Sequence, residues 1–330
     1  MATGIVLFSG GLDSILACRL LMEQGVRVTA LRFITPFFGH GIKGGEAAEA
    51  ERVRRAYGIE LRVEDVSVPY LELVKAPPHG YGRYMNPCID CKIFMIREAL
   101  ARLEPLGADF VATGEVVGQR PMSQRRDTLR HIEKAAGAEG RLLRPLCARR
   151  LPPTRPELEG LVDRERLLGI AGRGRKEQMA LATRYGIRDY PTPAGGCVLA
   201  DPILSRRFRR LFDLWPDFGV ADAVRAQLGR QFLLPGGSWL LVGRNRDENA
   251  RILALAGPED LTLRLADRPG PLGLLARRGE AADEELAARI LCRYARGGGG
   301  RVRVRGGGGP DRVVVVADPL PGAEIEALRV

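Results

Sequence analysis

The sequence predicts an α/β chain: a doubly wound, mostly parallel sheet followed by a smaller α+β domain. Three observations carry this. Short apolar strands alternate with amphipathic helices through the first half, which implies βαβ units. The first strand runs into Ser9-Gly10-Gly11, a tight turn that opens a helix. Near residue 205 the alternation gives way to short strands separated by Gly, Pro and Asp turns. A length of 330 residues suits two domains. The boundary is placed at 1–205 and 206–330.

Ile5–Phe8 reads as a buried strand, and residues 13–24 as a helix with Ile15, Leu16, Leu20 and Leu21 on one side. Val26–Phe33 is a second strand, 45–57 a charged helix and Leu61–Val68 a third strand. Residues 90–104 form a helix, and Phe110–Thr113 a fourth strand ending at Gly114. Residues 118–160 show little period, and 163–186 hold two short helices. Pro191–Cys197 is a rigid glycine-containing loop. In the second domain Trp239–Val242, Leu261–Leu263 and Val313–Val316 are strands, and 282–296 a helix. Gly297–Gly300 and Gly306–Gly309 read as flexible runs on either side of Arg301–Arg305.

Hydrophobic residues make up 45% and charged residues 28%, an ordinary globular balance. No apolar run reaches the roughly 20 residues of a membrane span, and Met1–Gly4 lacks a signal-peptide pattern. A cytoplasmic protein with reduced thiols is expected. The net charge is +11, from 51 basic and 40 acidic residues. Residues 118–176 hold 15 Lys/Arg against 7 Asp/Glu, so the excess is concentrated there. Such a patch suits a polyanion, although a solvated loop carries the same composition.

The chemistry begins at Ser9-Gly10-Gly11-Leu12-Asp13-Ser14. Two glycines let backbone N–H groups turn inward above a helix N-terminus, which makes an anion cradle. Ser9 and Ser14 add hydroxyls. Asp13 alone would repel phosphate, so Mg²⁺ between them is expected. Lysine is missing, so this is not the G-x-x-x-x-G-K-[ST] loop. Cys88-Ile89-Asp90-Cys91 opens a helix, where thiols serve metal, cluster or redox chemistry. Cys197 is the candidate third partner. Three thiolates leave one position open, which fits an iron–sulfur cluster with a free iron. Two packed thiols on a helix turn are the plain alternative. Cys18, Cys147 and Cys292 read as packing residues.

SGGLDS resembles the pyrophosphate loop of the PP-loop ATPases, the adenine nucleotide alpha-hydrolase-like family. That likeness implies a Rossmann-like sheet and cleavage of ATP between its α and β phosphates. Asn86-Pro87 through Cys91 resembles the tRNA 2-thiouridylases. Thr113-Gly114-Glu115-Val116-Val117-Gly118-Gln119 with Ser123-Gln124 resembles the tRNA 4-thiouridine synthetases. The Cys88/Cys91/Cys197 trio is similar to thiolases that hold a [4Fe-4S] cluster. The likeness covers roughly residues 4–204, without the N-terminal RNA-binding module of the 4-thiouridine synthetases. In the second domain Pro235–Trp239, Val242–Asn245, Glu248-Asn249 and Arg268–Pro271 resemble the RNA-binding module of NFACT proteins.

The resemblance implies an ATP-dependent tRNA sulfurtransferase that adenylates a uridine carbonyl and replaces its oxygen with sulfur. Ser9, Gly10, Gly11, Asp13 and Ser14 would hold pyrophosphate and Mg²⁺. Phe33, Gly114 and Gln119 would lie at the nucleotide, the first two through their backbones. Asp13, Cys91 and Cys197 are the expected catalytic residues, and Cys88, Cys91 and Cys197 the cluster ligands. In a competing route Cys197 carries a persulfide that Cys91 resolves. Expected partners are tRNA and a sulfur donor: sulfide, a cysteine desulfurase or a sulfur carrier. Two alternatives stay open: a PP-loop ligase or sulfurtransferase acting on a small molecule, and a non-catalytic RNA-binding protein.

Overall fold

The computed structural model describes residues 1–191, 197–277 and 279–330. It divides into two compact units, Met1–Pro202 and Ile203–Val330. Thr192–Gly196, most of the expected glycine loop before Cys197, lie outside the described residues.

The first unit is built on β1 (Thr3–Leu7), β2 (Arg27–Ile34), β3 (Glu60–Asp65), β4 (Phe110–Thr113) and β5 (Leu142–Leu143). All pair in parallel in the order β3-β2-β1-β4-β5. Alternation along the strands separates two cores. Val6 and Ala30 face one cluster with α1 (Leu12–Met22) and α2 (Glu46–Tyr57). Ile5, Leu31 and Phe33 face the other. Two further helices follow in the chain, α3 (Ser67–Lys75) and α4 (Cys88–Leu100). Ile93 and Ile96 of α4 fill the second core with Ile132 of α5 (Arg126–Ala135). Helices therefore cover both faces, and the doubly wound expectation holds. Two more helices, α6 (Arg155–Leu158) and α7 (Lys176–Arg184), complete the unit; Ala182 of α7 joins the first core.

Two segments depart from the expectation. The apolar run Leu61–Val68 is not one strand, because β3 stops at Asp65 and α3 starts at Ser67. Asp65 Oδ1 accepts the Ser67 N–H at 2.8 Å, which turns the chain into the helix. The aperiodic stretch 118–160 contains α5, which buries only Leu129 and Ile132.

The second unit carries α8 (Pro202–Leu214), α9 (Val220–Arg225) and α10 (Arg246–Ala254). Its sheet joins β6 (Arg230–Leu233), β7 (Trp239–Val242), β8 (Leu261–Leu265), β9 (Gly273–Ala276), β10 (Gly300–Gly306) and β11 (Gly309–Val316). The order is β11-β10-β8-β9-β7-β6, antiparallel throughout. One face packs on α11 (Ala282–Arg293), and α12 (Gly322–Leu328) adds Ile325 to that core. Trp239 is fully buried beside Trp215 and Phe218, and its indole N–H reaches Gln231 Oε1. The glycines expected to be flexible at 306–309 instead close the β10–β11 hairpin. Gly306, Gly307 and Gly308 all take positive φ, which a side chain would resist.

Candidate active site

In a sheet of this order the crevice lies where the order reverses, beyond the carboxyl ends of β1 and β4. Both candidate loops sit there. Gly11 is the N-cap of α1 and no side chain caps the helix, so its first amides stay open to an anion. Gly10 takes φ +80°, a left-handed turn that favours glycine. Ser14 Oγ donates to the Gly11 carbonyl at 2.8 Å and lies 3.4 Å from Ser9 Oγ. A methyl placed on Gly11 would meet only Ser9 Oγ, at 3.5 Å, so the cradle is open space.

Gly114 is needed for close approach. A Cβ there would lie 2.5 Å from the Asp13 carbonyl carbon and oxygen and 2.7 Å from Ser14 N. The end of β4 therefore rests directly on the first turn of α1. From the same segment Gln119 Nε2 donates to Asp13 Oδ2 at 2.8 Å. Asp13 Oδ1 and Gln119 Oε1 are buried with no hydrogen-bond partner. Buried acceptors left open at an anion cradle fit a cation with its phosphate oxygens, so the residues suit Mg²⁺ and a nucleotide.

The Phe33 side chain does not face the loop. Its ring is buried in the α4–α5 core with the Arg102 guanidinium over it. The side chain at the loop is its neighbour Arg32. A methyl on Gly10 would come 3.1 Å from Arg32 Nη1. Arg32 is paired to Glu49 at 2.8 Å, and burial draws its pKa down against that pairing. Arg32 lies one residue before the end of the expected strand Val26–Phe33. Alternation was the available signal, since Leu31 and Phe33 are the core residues.

The thiols sit beyond β4 and α3. Cys88 donates to Asn86 Oδ1 at 3.0 Å, and the Cys91 N–H closes on the Pro87 carbonyl. Asn86-Pro87 thus seats both cysteines at the start of α4. Tyr84, just before, holds φ +59°, an uncommon left-handed non-glycine. The Met85 N–H donates to the Leu199 carbonyl at 3.2 Å, which fixes the turn after Cys197 beside this loop. Cys197 lies within electrostatic reach of Cys88 and Cys91, and burial pushes its thiol up to about 11. Burial also raises Cys91, against the pull of the Tyr70 hydroxyl, Lys92 and Arg120. Tyr70 is buried among Phe37, Phe38 and Phe94, and burial raises its own hydroxyl well above its ordinary value, with Cys91 adding to the effect. Tyr70 gave no sequence signal because α3 was unread.

Among the described residues no three His, Cys, Asp or Glu side chains close on one point as a single metal ion requires. Three half-buried thiols within electrostatic reach of one another suit a larger thiolate-held group such as an iron–sulfur cluster.

Glu115 is fully enclosed between the two centres. Its carboxylate meets Arg144 Nε at 3.2 Å and Lys92 Nζ at 3.4 Å. Burial pushes its pKa up, but Lys92 and Arg144 outweigh burial and hold it below the usual carboxylate range. Arg144 is also buried and pairs with Glu133 at 2.8 Å.

In the second unit the motif residues are engaged internally. Asn245 Oδ1 accepts the Glu248 N–H and caps α10. Asn249 Oδ1 accepts the Leu272 N–H, and Asp283 accepts the Gly236 and Ser238 N–H groups. Arg244 is half-exposed and paired to Glu248.

Residues 1–149 match the family described as thiamine biosynthesis protein (ThiI), and residues 229–327 match the NFACT protein RNA-binding domain. The chain carries a ThiI-type PP-loop domain. An NFACT-type domain follows it. The tRNA-specific 2-thiouridylase MnmA of Syntrophotalea carbinolica is 34% identical over 117 residues, 33% of this chain and 33% of its own length. MnmA of Oleidesulfovibrio alaskensis is 34% identical over 122 residues, 35% of this chain and 34% of its own. The chain thus spans about a third of the curated relatives it matches. A 4-thiouridine synthetase solved in complex with RNA and bound ATP is 24% identical, covering 56% of this chain and 41% of that one, with a TM-score of 0.39. No helix among the described residues is long and apolar enough to cross a membrane.

Proposed function

We propose that the ThiI-type domain is an ATP-dependent tRNA sulfurtransferase. The observation that carries this is the segment Gly114–Arg120. Gly114 rests on the α1 turn, Gln119 grips Asp13, and Glu115 meets Lys92, the neighbour of Cys91, at 3.4 Å. One short segment therefore joins an anion cradle to a thiol centre, the two halves that thiolation requires.

In this reading the open amides of Leu12 and Asp13 and the Ser9 and Ser14 hydroxyls hold the β- and γ-phosphates of ATP, with the Gly11 amide holding Ser9 Oγ in place. Arg32 supplies positive charge over Gly10. Asp13 Oδ1 would hold Mg²⁺, whose charge offsets that of the departing pyrophosphate. The uridine carbonyl oxygen attacks the α-phosphorus and pyrophosphate leaves. Sulfur then attacks the activated carbon and AMP leaves with the oxygen. The net change is one C–O bond exchanged for one C–S bond.

Two routes deliver the sulfur. Cys88, Cys91 and Cys197 would hold a [4Fe-4S] cluster, which supplies an open iron for sulfide when bound. In the persulfide route the outer sulfur of Cys197 attacks the carbon. Cys91 then attacks Cys197 Sγ, leaving a Cys91–Cys197 disulfide that an external thiol reduces. The basic stretch 118–176 and the NFACT-type domain suit the tRNA backbone.

The test is nucleoside mass spectrometry of tRNA incubated with the protein and ATP, once with sulfide for the cluster route and once with a cysteine desulfurase and cysteine, which supply sulfane sulfur for the persulfide route. Thiouridine should form and should vanish with Asp13→Ala, Cys91→Ala or Cys197→Ala. ATP turnover without thiouridine on any tRNA would sink the reading and favour a small-molecule substrate.

A further inference from the structure

The chain has three histidines, and two of them meet. His79, in the loop before α4, places Nε2 3.0 Å from Nε2 of His131 on α5. The rings stand at 83° with centroids 4.9 Å apart. Behind His79 lies Asp90, only 3% exposed. One Asp90 oxygen faces His79 Nδ1 at 2.7 Å, and the other accepts the His79 backbone N–H at 2.9 Å.

The carboxylate fixes the His79 proton on Nδ1 and leaves the Nε2 lone pair pointing at His131. This is the arrangement that orients metal-ligating imidazoles, a carboxylate behind the ring and a lone pair in front. Two nitrogens 3.0 Å apart, each about 2.05 Å from a shared cation, subtend about 94° at it. That angle lies between the ~90° of octahedral and ~109° of tetrahedral coordination. His131 also lines a cavity of about 1140 Å³ with Asp127, Arg130 and Glu133, where water can complete the coordination sphere.

We propose that His79 Nε2 and His131 Nε2 form a two-imidazole site for a divalent transition-metal ion, with Asp90 as the carboxylate that sets His79. The site takes borderline cations that favour nitrogen, such as Zn²⁺, Ni²⁺ or Co²⁺. Among the described residues no third His, Cys, Asp or Glu joins the pair, so water supplies the remaining ligands. In the metal-free pair His131 Nε2–H donates to His79. Metal replaces that proton, which passes to His131 Nδ1 or to solvent. The pair uses none of the three thiols, although Asp90 stands between Cys88 and Cys91 in the chain, and it pins the loop before Asn86-Pro87 to α5.

The test uses the full chain labelled with ¹⁵N-histidine and titrated with zinc chloride. His40 is the internal control. Zinc on the thiols ligates no imidazole nitrogen, but Asp90 lies between Cys88 and Cys91, so the titration is repeated with Cys88→Ala/Cys91→Ala, where the paired shift should persist and its loss would overturn the proposal. His79 Nε2 and His131 Nε2 should shift together at one zinc concentration while His79 keeps its Nδ1 proton. His131→Ala should weaken the His79 shift at least about tenfold, and Asp90→Asn roughly 10–100-fold. The proposal is overturned if neither nitrogen moves in the wild-type chain by about 1 mM zinc, a weak-binding limit. It is equally overturned if only one moves, or if both move no more tightly than His40. The wild-type titration alone decides the matter should a variant fail to fold.

Discussion

Replacing Gly114 with alanine puts a methyl carbon 2.5 Å from the Asp13 carbonyl group, where ordinary contact begins near 3.4 Å. The shortfall of 0.9 Å falls on backbone atoms, which cannot swing aside as a flexible side chain would. Either β4 or the first turn of α1 must move by about that distance. Overpacking of this kind costs roughly 1–3 kcal/mol, which lowers Tm by about 2–4 °C per kcal/mol in a domain of this size. Displacing a positioned reacting group by ~1 Å costs about 10²-fold in rate. ATP–pyrophosphate exchange with tRNA present and a thermal melt read the two effects separately. Gly11→Ala is the comparison. Its φ of −79° suits alanine, and its nearest neighbour is 3.5 Å away, so its melt should match wild type. Loss of ATP binding in Gly11→Ala would then come from the nucleotide meeting the methyl. A Gly114→Ala protein with wild-type melting and wild-type exchange would refute the close approach of β4 to α1.

Four further outcomes are expected. Arg144→Ala leaves Glu115 buried with less compensation and should cost about 3–5 kcal/mol in denaturant unfolding. The Glu115 carboxyl lies below its ordinary value in the folded chain. Its contribution is therefore complete above the unfolded value of about 4.3 and is lost as pH falls through the folded value. Unfolding curves of wild type and Glu115→Gln should differ most near neutrality and converge in acid; a constant gap down to the acid transition would contradict that linkage. Cys88→Ala should abolish thiouridine formation and the visible absorption of anaerobically purified protein; near-normal activity would favour the persulfide route. Asp283→Ala strips the acceptor from the Gly236 and Ser238 amides, at about 1–3 kcal/mol for unsatisfied buried groups, read in the melt of the second unit.

How much was legible depended on how local the signal was. β1, α1, β4 and β7 are apolar runs bounded by glycine or polar turns, so residues near in sequence settle them. The overrun of β3 into α3 came from Val66 and Val68, which favour strand. Val68 proves exposed on the helix, and the deciding contact is the turn in which Asp65 Oδ1 accepts the Ser67 N–H. α5 was missed because its two fully buried hydrophobes stand among Arg126, Arg130 and Lys134. At the site, SGGLDS and the C-x-x-C declare their chemistry through residue type and spacing. Arg32 over Gly10, Tyr70 at Cys91, Glu115 against Arg144 and His79 against His131 are meetings of distant segments. No spacing rule reports such contacts, because they arise only once β2, α3, α4 and α5 pack on the sheet.

Gln119 and Arg120 are neighbours along the chain, yet one faces Asp13 and the other bears on Cys91. Within the same segment Glu115 meets Lys92, the neighbour of Cys91, so a few residues link the Asp13 carboxylate to the start of α4. Binding free energies in such an arrangement are reciprocal. If occupancy of the cradle draws Gln119 inward and changes the affinity of the thiols for their cargo by some factor, loading the thiols must change nucleotide affinity by the same factor. The segment would then act as an interlock, setting the order in which ATP and sulfur are taken up.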